Sequence, residues 1–442
     1  MFSIYLISIL VLGIIIYGVG KQLIPCYWLI LNSLFLPIVA FLDGAVSDEE
    51  IMIAYGKQSA ILNILLFILI ILELPKIRKL KQFVPAFLAL AMLVFISLIW
   101  SIHHFSDNSV VEMLSQQKQY ISVLLVPVYV CLVGSKLSYL KKTLILILLC
   151  EILIALVNQY LGFHLYVSHY LSEGLGYIGE YTSGTFKRFN NLTGFLSVTQ
   201  AIISSEYLLM RRMSWKYFVV SSCFIAFIIL LTGSRIGIFT FFVSTMIPAL
   251  INYKMNKSYI ILMVVLGCVL LVLVFSVSTM MTTSDAETGI ERNLIGLSEK
   301  LNKKSAGAGE TTDKMSSELI ERYFDYHPLG RGLTANRDVE AAYGNAAYAI
   351  DARLAFIVVE YGWVYLLCVF LFYIAIYRCY TMRMSAKGKW AVFNVILILL
   401  LLSISDDGIF DKLLFTIWCL YAVYCAKLLR LFKNETVNIS RN

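Results

Sequence analysis

The chain has 442 residues, of which 60% are hydrophobic and only 14% charged, against roughly 25% charged in soluble domains. That balance excludes an ordinary water-soluble fold, so the formal net charge of +8 is read through membrane topology before nucleic acid. Runs such as 60–74 (AILNILLFILIILEL) and 258–280 carry almost no charge and approach the roughly 20 apolar residues that cross a bilayer.

In chain order, apolar spans are expected at about 1–19, 23–42, 59–74, 83–102, 120–134, 143–162, 192–210, 217–231, 236–252, 258–280, 353–377, 390–405 and 412–429. Lipid leaves the backbone no partner but itself, so these spans are helices. The expected fold class is an all-α polytopic integral membrane protein of about 12–13 transmembrane helices with one large outside loop. Residues 1–180 form a first set of helices, 181–280 a second, 281–352 the loop, and 353–442 the last helices and a short tail. The first charged residue is Lys21, so residues 1–19 read as a span and not as a cleaved signal peptide.

Charge sets the orientation. One set of connections, with the tail, holds 21 of the 36 basic residues and the opposite set holds 6. By the positive-inside rule the first side is cytoplasmic, which places 281–352 outside. Within that loop, Ser317 with Glu318 and Glu321 is a helix-start pattern, followed by an amphipathic stretch ending at Pro328 and Gly330.

Three clusters could carry chemistry, all on the outer side. Arg235 in TGSR (232–235) is pinched between two apolar runs. An arginine at membrane depth costs about 2.5–3.5 kcal/mol unless it is paired or reaches water. It either snorkels to headgroups or, with the free amides of the helix that follows, forms an anion site. The second cluster is GTFKRFNNLTGF (184–195). There Lys187 and Arg188 precede Asn190 and Asn191, which either cap a helix or meet a sugar hydroxyl. The third is HPLGRGLTANR (327–337) with AAYAIDARLAFIVVEYGW (346–363). It holds His327, Arg331, Arg337, Asp351, Arg353 and Glu360; Asp351 and Arg353 could also simply pair. Glu360 and Glu151 lie within spans, where an ionisable side chain is a functional candidate. No metal or nucleotide motif is present: there is no CxxC, P-loop or dinucleotide fingerprint.

The elements LLTGSRIGIFTF (230–241), FKRFNNLTGF, and a large outer loop closing in YHPLGRGL before VVEYGW (359–363) resemble, in this order, the O-antigen polymerase/ligase superfamily of bacterial envelope glycosyltransferases. The resemblance covers roughly 180–375 and implies a GT-C-like architecture in the bacterial inner membrane with a periplasmic catalytic face. It implies transfer from an undecaprenyl-diphosphate-linked oligosaccharide, which serves as donor and acceptor, without cofactor or metal. A chain-length regulator and a flippase would be further partners. Arg235, Arg188 and Lys187 would then clamp the diphosphate. Arg331, Arg337, Arg353 and Asn191 would add phosphate or sugar contacts, and the base would be Asp351, Glu360 or His327. The ligase branch carries a histidine just before the span that follows the loop. Here AIDARL (349–354) has none, which favours a polymerase.

Overall fold

The computed structural model describes residues 2–35, 48–104, 109–134, 137–161, 189–232, 234–252, 261, 328–330, 353–382, 384–403 and 412–439. Among them the chain is almost entirely helical, with no strand. Helix α1 is Phe2–Gly20, α2 Ile24–Ile30 (continued by a π turn, Leu31–Phe35), α3 Asp48–Leu72, α4 Val84–His103, α5 Ser109–Val133 and α6 Leu137–Leu161. Then come α7 Phe189–Ser204, running into a π segment Ser205–Leu209, α8 Trp215–Leu231, α9 Arg235–Ile251, α10 Arg353–Thr381, α11 Ala386–Leu402 and α12 Lys412–Ile439. Starts follow local chemistry. Ser234 and Ser385 cap α9 and α11 by accepting the Gly237 and Gly388 amides, and Pro85 opens α4, where its missing N–H costs nothing.

Among the described residues, three helical segments are, by length and composition, long and apolar enough to cross a membrane: Ile7–Leu34, Leu74–His103 and Glu360–Thr381. Ala60–Leu72, Tyr120–Val133, Trp215–Leu231, Ile236–Ile251 and Leu413–Ala426 are shorter apolar helices. Every expected span contains a described helix except 258–280, which lies outside the described residues apart from Ile261. Large apolar side chains such as Val19, Leu88, Ile102 and Leu153 are exposed. An apolar exterior of this kind suits lipid and not water.

Two boundaries differ from the expectation. Helix α5 begins at Ser109, about three turns before the apolar run, because the polar stretch before Tyr120 continues the same helix. The span expected over 353–377 is not one straight helix: Gly362, at φ 85° and ψ 163°, breaks α10. The loop 281–352, with the helix expected from Ser317, lies outside the described residues except for 328–330.

Side-chain contacts fix the relative sense of the helices. In α4 and α10, Phe83 meets Tyr380 at one end and Trp100 meets Tyr361 at the other, so the two run antiparallel. Phe415 meets Tyr373 while Trp418 meets Tyr377 and Tyr380, which makes α12 parallel to α10. Gly194 abuts Leu414, and Tyr421 donates to Glu206, so α7 is parallel to α12. Thr193 meets Thr232 and Asn252 meets Leu208, so α9 is parallel to α7. The N-terminal ends of α7, α9, α10 and α12 therefore share one end of the bundle with the C-terminal end of α4.

The opposite end is basic. Between α3 and α4 a 3-10 segment, Leu74–Phe83 (LPKIRKLKQF), carries four cations. Just beyond the end of α3, the buried Glu73 carboxylate is bonded by Lys21 and Lys76 ammonium groups and the Tyr17 hydroxyl. Lys21 first, then Lys76, hold its pKa down to about 2, and Glu73 in turn raises that of Lys21. Tyr129 donates to the Lys21 carbonyl at 2.7 Å and Lys79 to the Leu132 carbonyl at 3.1 Å. These bonds tie the ends of α1, α3 and α5 together.

Candidate functional site

The TGSR turn and the NNLTGF helix start, 39 residues apart at Thr193 and Thr232, are one packed unit. Thr193 Oγ1 donates to Thr232 Oγ1 at 3.0 Å, and the Thr232 hydroxyl donates to the Ile229 carbonyl at 2.7 Å. A glycine is required at 237, since a Cβ there would overlap the Thr193 methyl. One turn further, Ser197 and Thr240 are 2.8 Å apart. Thr240 donates to the Ile236 carbonyl, so Ser197 is the donor between them. Arg235 is the first residue of α9. The Ser234 cap takes the Gly237 amide, while the first-turn amides at 235 and 236 have no partner inside a helix. A helix start of this kind presents partial positive charge, to which an anion would be attracted. Asn191 lies half-buried in the first turn of α7.

The third cluster is organised around the break in α10. The turn Pro328–Leu329–Gly330 seats against it: the Val364 amide donates to the Pro328 carbonyl at 3.3 Å. Gly330 (φ 68°) and Gly362 (φ 85°) face each other so closely that a Cβ on either would strike the other's backbone. Both positive φ values and both approaches require glycine. The end of α4 holds the arrangement. Trp100 Nε1 donates to the Glu360 carbonyl at 3.0 Å. The His104 imidazole meets the Leu329 carbonyl at 3.2 Å; a carbonyl only accepts, so Nε2 carries the proton. Trp100 packs on His104 and on Tyr361 with centroids 5.1 and 5.2 Å apart. Glu360 is buried, two residues before the break.

The residues anticipated from sequence thus divide. Glu360, Asn191 and the backbone starts at Arg235 and Arg353 are brought to one end of the bundle. The side chains of Arg235 and Arg353, and the whole of Lys187, Arg188, His327, Arg331, Arg337 and Asp351, lie outside the described residues. Trp100 and His104 were not anticipated as part of the site. Their signal was present, a Trp and a His four apart in WSIHH, which puts both on one helix face.

A second polar feature runs through the interior. From Thr193 and Ser197 it continues to Gln200, which donates to Ser204 and Ser222 at 3.1 and 3.0 Å. Asn394 of α11 follows, donating to the Ala201 carbonyl, Ser205 and the Ser244 carbonyl at 3.0–3.2 Å. It bonds beside the place where α7 changes to π geometry, a change that leaves carbonyls without their α-helical donors. Glu206 closes the series, accepting from Tyr421 at 3.0 Å, with Arg212 at 4.0 Å.

Compared with known proteins, the chain matches no protein-family model and no curated protein.

Proposed function

We propose that this chain is a membrane glycosyltransferase that polymerises lipid-diphosphate-linked oligosaccharide repeat units, as an O-antigen or similar surface-polysaccharide polymerase. In this reading thirteen helices cross the bacterial inner membrane, the Lys76–Lys81 end faces the cytoplasm, and the site opens on the periplasmic side. The observation that carries the reading is convergence. Three elements spread over 170 residues, at Asn191, Arg235 and Glu360, lie in the N-terminal parts of helices that run in parallel from one end of the bundle, opposite the basic end.

The chemistry follows from the groups concerned. A hydroxyl of one repeat unit attacks the anomeric carbon of the other. The bond from that carbon to the diphosphate oxygen breaks, and the hydroxyl proton passes to a base. Undecaprenyl diphosphate leaves carrying the charge, which Arg235, Arg188 and Lys187 with the first-turn amides of α9 would stabilise. Arg331, Arg337 and Arg353 would serve as further phosphate or sugar contacts and Asn191 as a sugar contact. The base is drawn from Asp351, Glu360 and His327. Trp100 and His104 would be positioning residues, since they hold the backbone on both sides of Glu360 and Gly362.

A second reading is transport of lipid-linked sugar, and the buried polar series ending at Glu206 favours it, because intramembrane polar chains mark ion and substrate paths. Purified full-length protein given synthetic undecaprenyl-diphosphate-linked oligosaccharide decides between them. Polymerisation lengthens the lipid-linked glycan and releases undecaprenyl diphosphate. Movement between leaflets of proteoliposomes without bond formation would support transport instead.

A further inference from the structure

At the basic end a cavity of about 380 Å³ is lined by Gly20, Lys21, Gln22, Leu23, Lys76 and Val133, within the ~300–1,000 Å³ range of small-molecule clefts. Each lysine gives one N–H to a single Glu73 oxygen, and an ammonium group has three donors, so both retain hydrogen-bonding capacity. Their side chains are 48% and 43% exposed. Charge is far from balanced there. Lys21 and Lys76 both contact Glu73, and Arg78, Lys79 and Lys81 follow in the same 3-10 segment, which itself holds no carboxylate. The flanks are apolar and uncovered: Ile15 and Val19 on α1, Leu72 ending α3, and Leu74 and Ile77 in the 3-10 segment are all exposed.

We infer that this cavity binds the phosphate of an anionic glycerophospholipid from the leaflet at the basic end, with its acyl chains along the apolar flanks of α1 and α3. A free phosphate would account for the lysines but not for the exposed Ile15, Val19 and Leu72 beside them. A zwitterionic lipid would bring its own cation against the two lysines of the cavity. Juxtamembrane basic clusters attract anionic headgroups for the same reason. The site is at the opposite end from the proposed glycosyl-transfer site and does not depend on it.

The test uses full-length protein reconstituted in vesicles of equal phosphatidylglycerol and phosphatidylcholine, extracted in mild detergent, with bound lipid read by native mass spectrometry. The wild type is expected to retain phosphatidylglycerol over phosphatidylcholine by at least about fivefold. Lys21→Gln/Glu73→Gln/Lys76→Gln removes the two lysines that line the cavity together with the buried carboxylate they hold, and should bring the ratio to about one. Gly20→Leu fills the cavity from an extended position with ordinary contacts to Leu23; it leaves the ion cluster in place and should have the same effect. Glycerol phosphate at millimolar concentration should not displace the lipid; if it does, the site takes a soluble anion and the proposal is overturned. Equal retention of both lipids by the wild type, or undiminished preference in Gly20→Leu, would overturn it equally.

Discussion

Gly362 and Gly330 each hold a positive φ and lie against the other's backbone. Gly362→Ala must either abandon φ 85° or push the Pro328 carbonyl out of the break. Backbone in that region, open essentially to glycine alone, costs about 1–3 kcal/mol for an alanine, and the overlap adds to it. We predict a loss of about 2–4 kcal/mol, read as a lower Tm of the detergent-solubilised protein, with Gly330→Ala similar. Activity in the glycan-extension assay should fall with it if the turn organises the site. At the other end of the bundle, Glu73 makes a pH prediction. Its folded pKa of about 2 lies below the ordinary 4.5, so its ion pairs stabilise the fold fully above about pH 5. That contribution declines as pH falls through 4.5 toward 2. Glu73→Gln should therefore flatten the stability profile in this acid window; an unchanged slope would show that other carboxylates control it.

Among the elements, Asn394 is the polar group that joins α11 to both α7 and α9. Asn394 feeds two backbone carbonyls and Ser205 from one amide group. Asn394→Leu would leave the Ala201 and Ser244 carbonyls buried without that donor, a loss of about 2–3 kcal/mol. Thr193→Val removes one hydroxyl between α7 and α9. Interhelical bonds in membranes average about 0.6 kcal/mol, so it should have little effect on Tm. If Thr193→Val nevertheless abolished activity, the Thr193–Thr232 unit would be acting on the site and not on packing. The helices were largely legible in sequence because apolar length is a strong signal. The break in α10 was not, although Gly362 was in plain view. A glycine inside an apolar run is ordinary in membrane helices, and only the Pro328–Gly330 turn seated against it gives the reason. Likewise Trp100 and His104 stand 260 and 225 residues from their partners, a distance no local pattern bridges. The three clusters were legible as candidates; that their helices start at one end required the contacts of α12, which sequence does not reveal.

For the molecule as a whole, the separation of the Lys21–Glu73–Lys76 cluster at one end from the starts of α7, α9 and α10 at the other is the organising feature. α4 joins them directly: it leaves the 3-10 segment bearing Lys76, Arg78, Lys79 and Lys81 and ends at His103 beside the Pro328–Gly330 turn. Single cysteines introduced at Lys79 and His103 into a cysteine-free background should label from opposite sides of sealed membranes. Labelling from the same side would break the topology on which the proposed function rests. The most direct test of that function is deletion of the gene followed by gel analysis of the surface glycan, with wild-type, Arg235→Lys and Arg235→Ala complementation. The account predicts single repeat units on the lipid core after deletion, a ladder restored by wild type, and none restored by Arg235→Ala. Long chains accumulating on undecaprenyl diphosphate, or no repeat unit reaching the outer side at all, would contradict it.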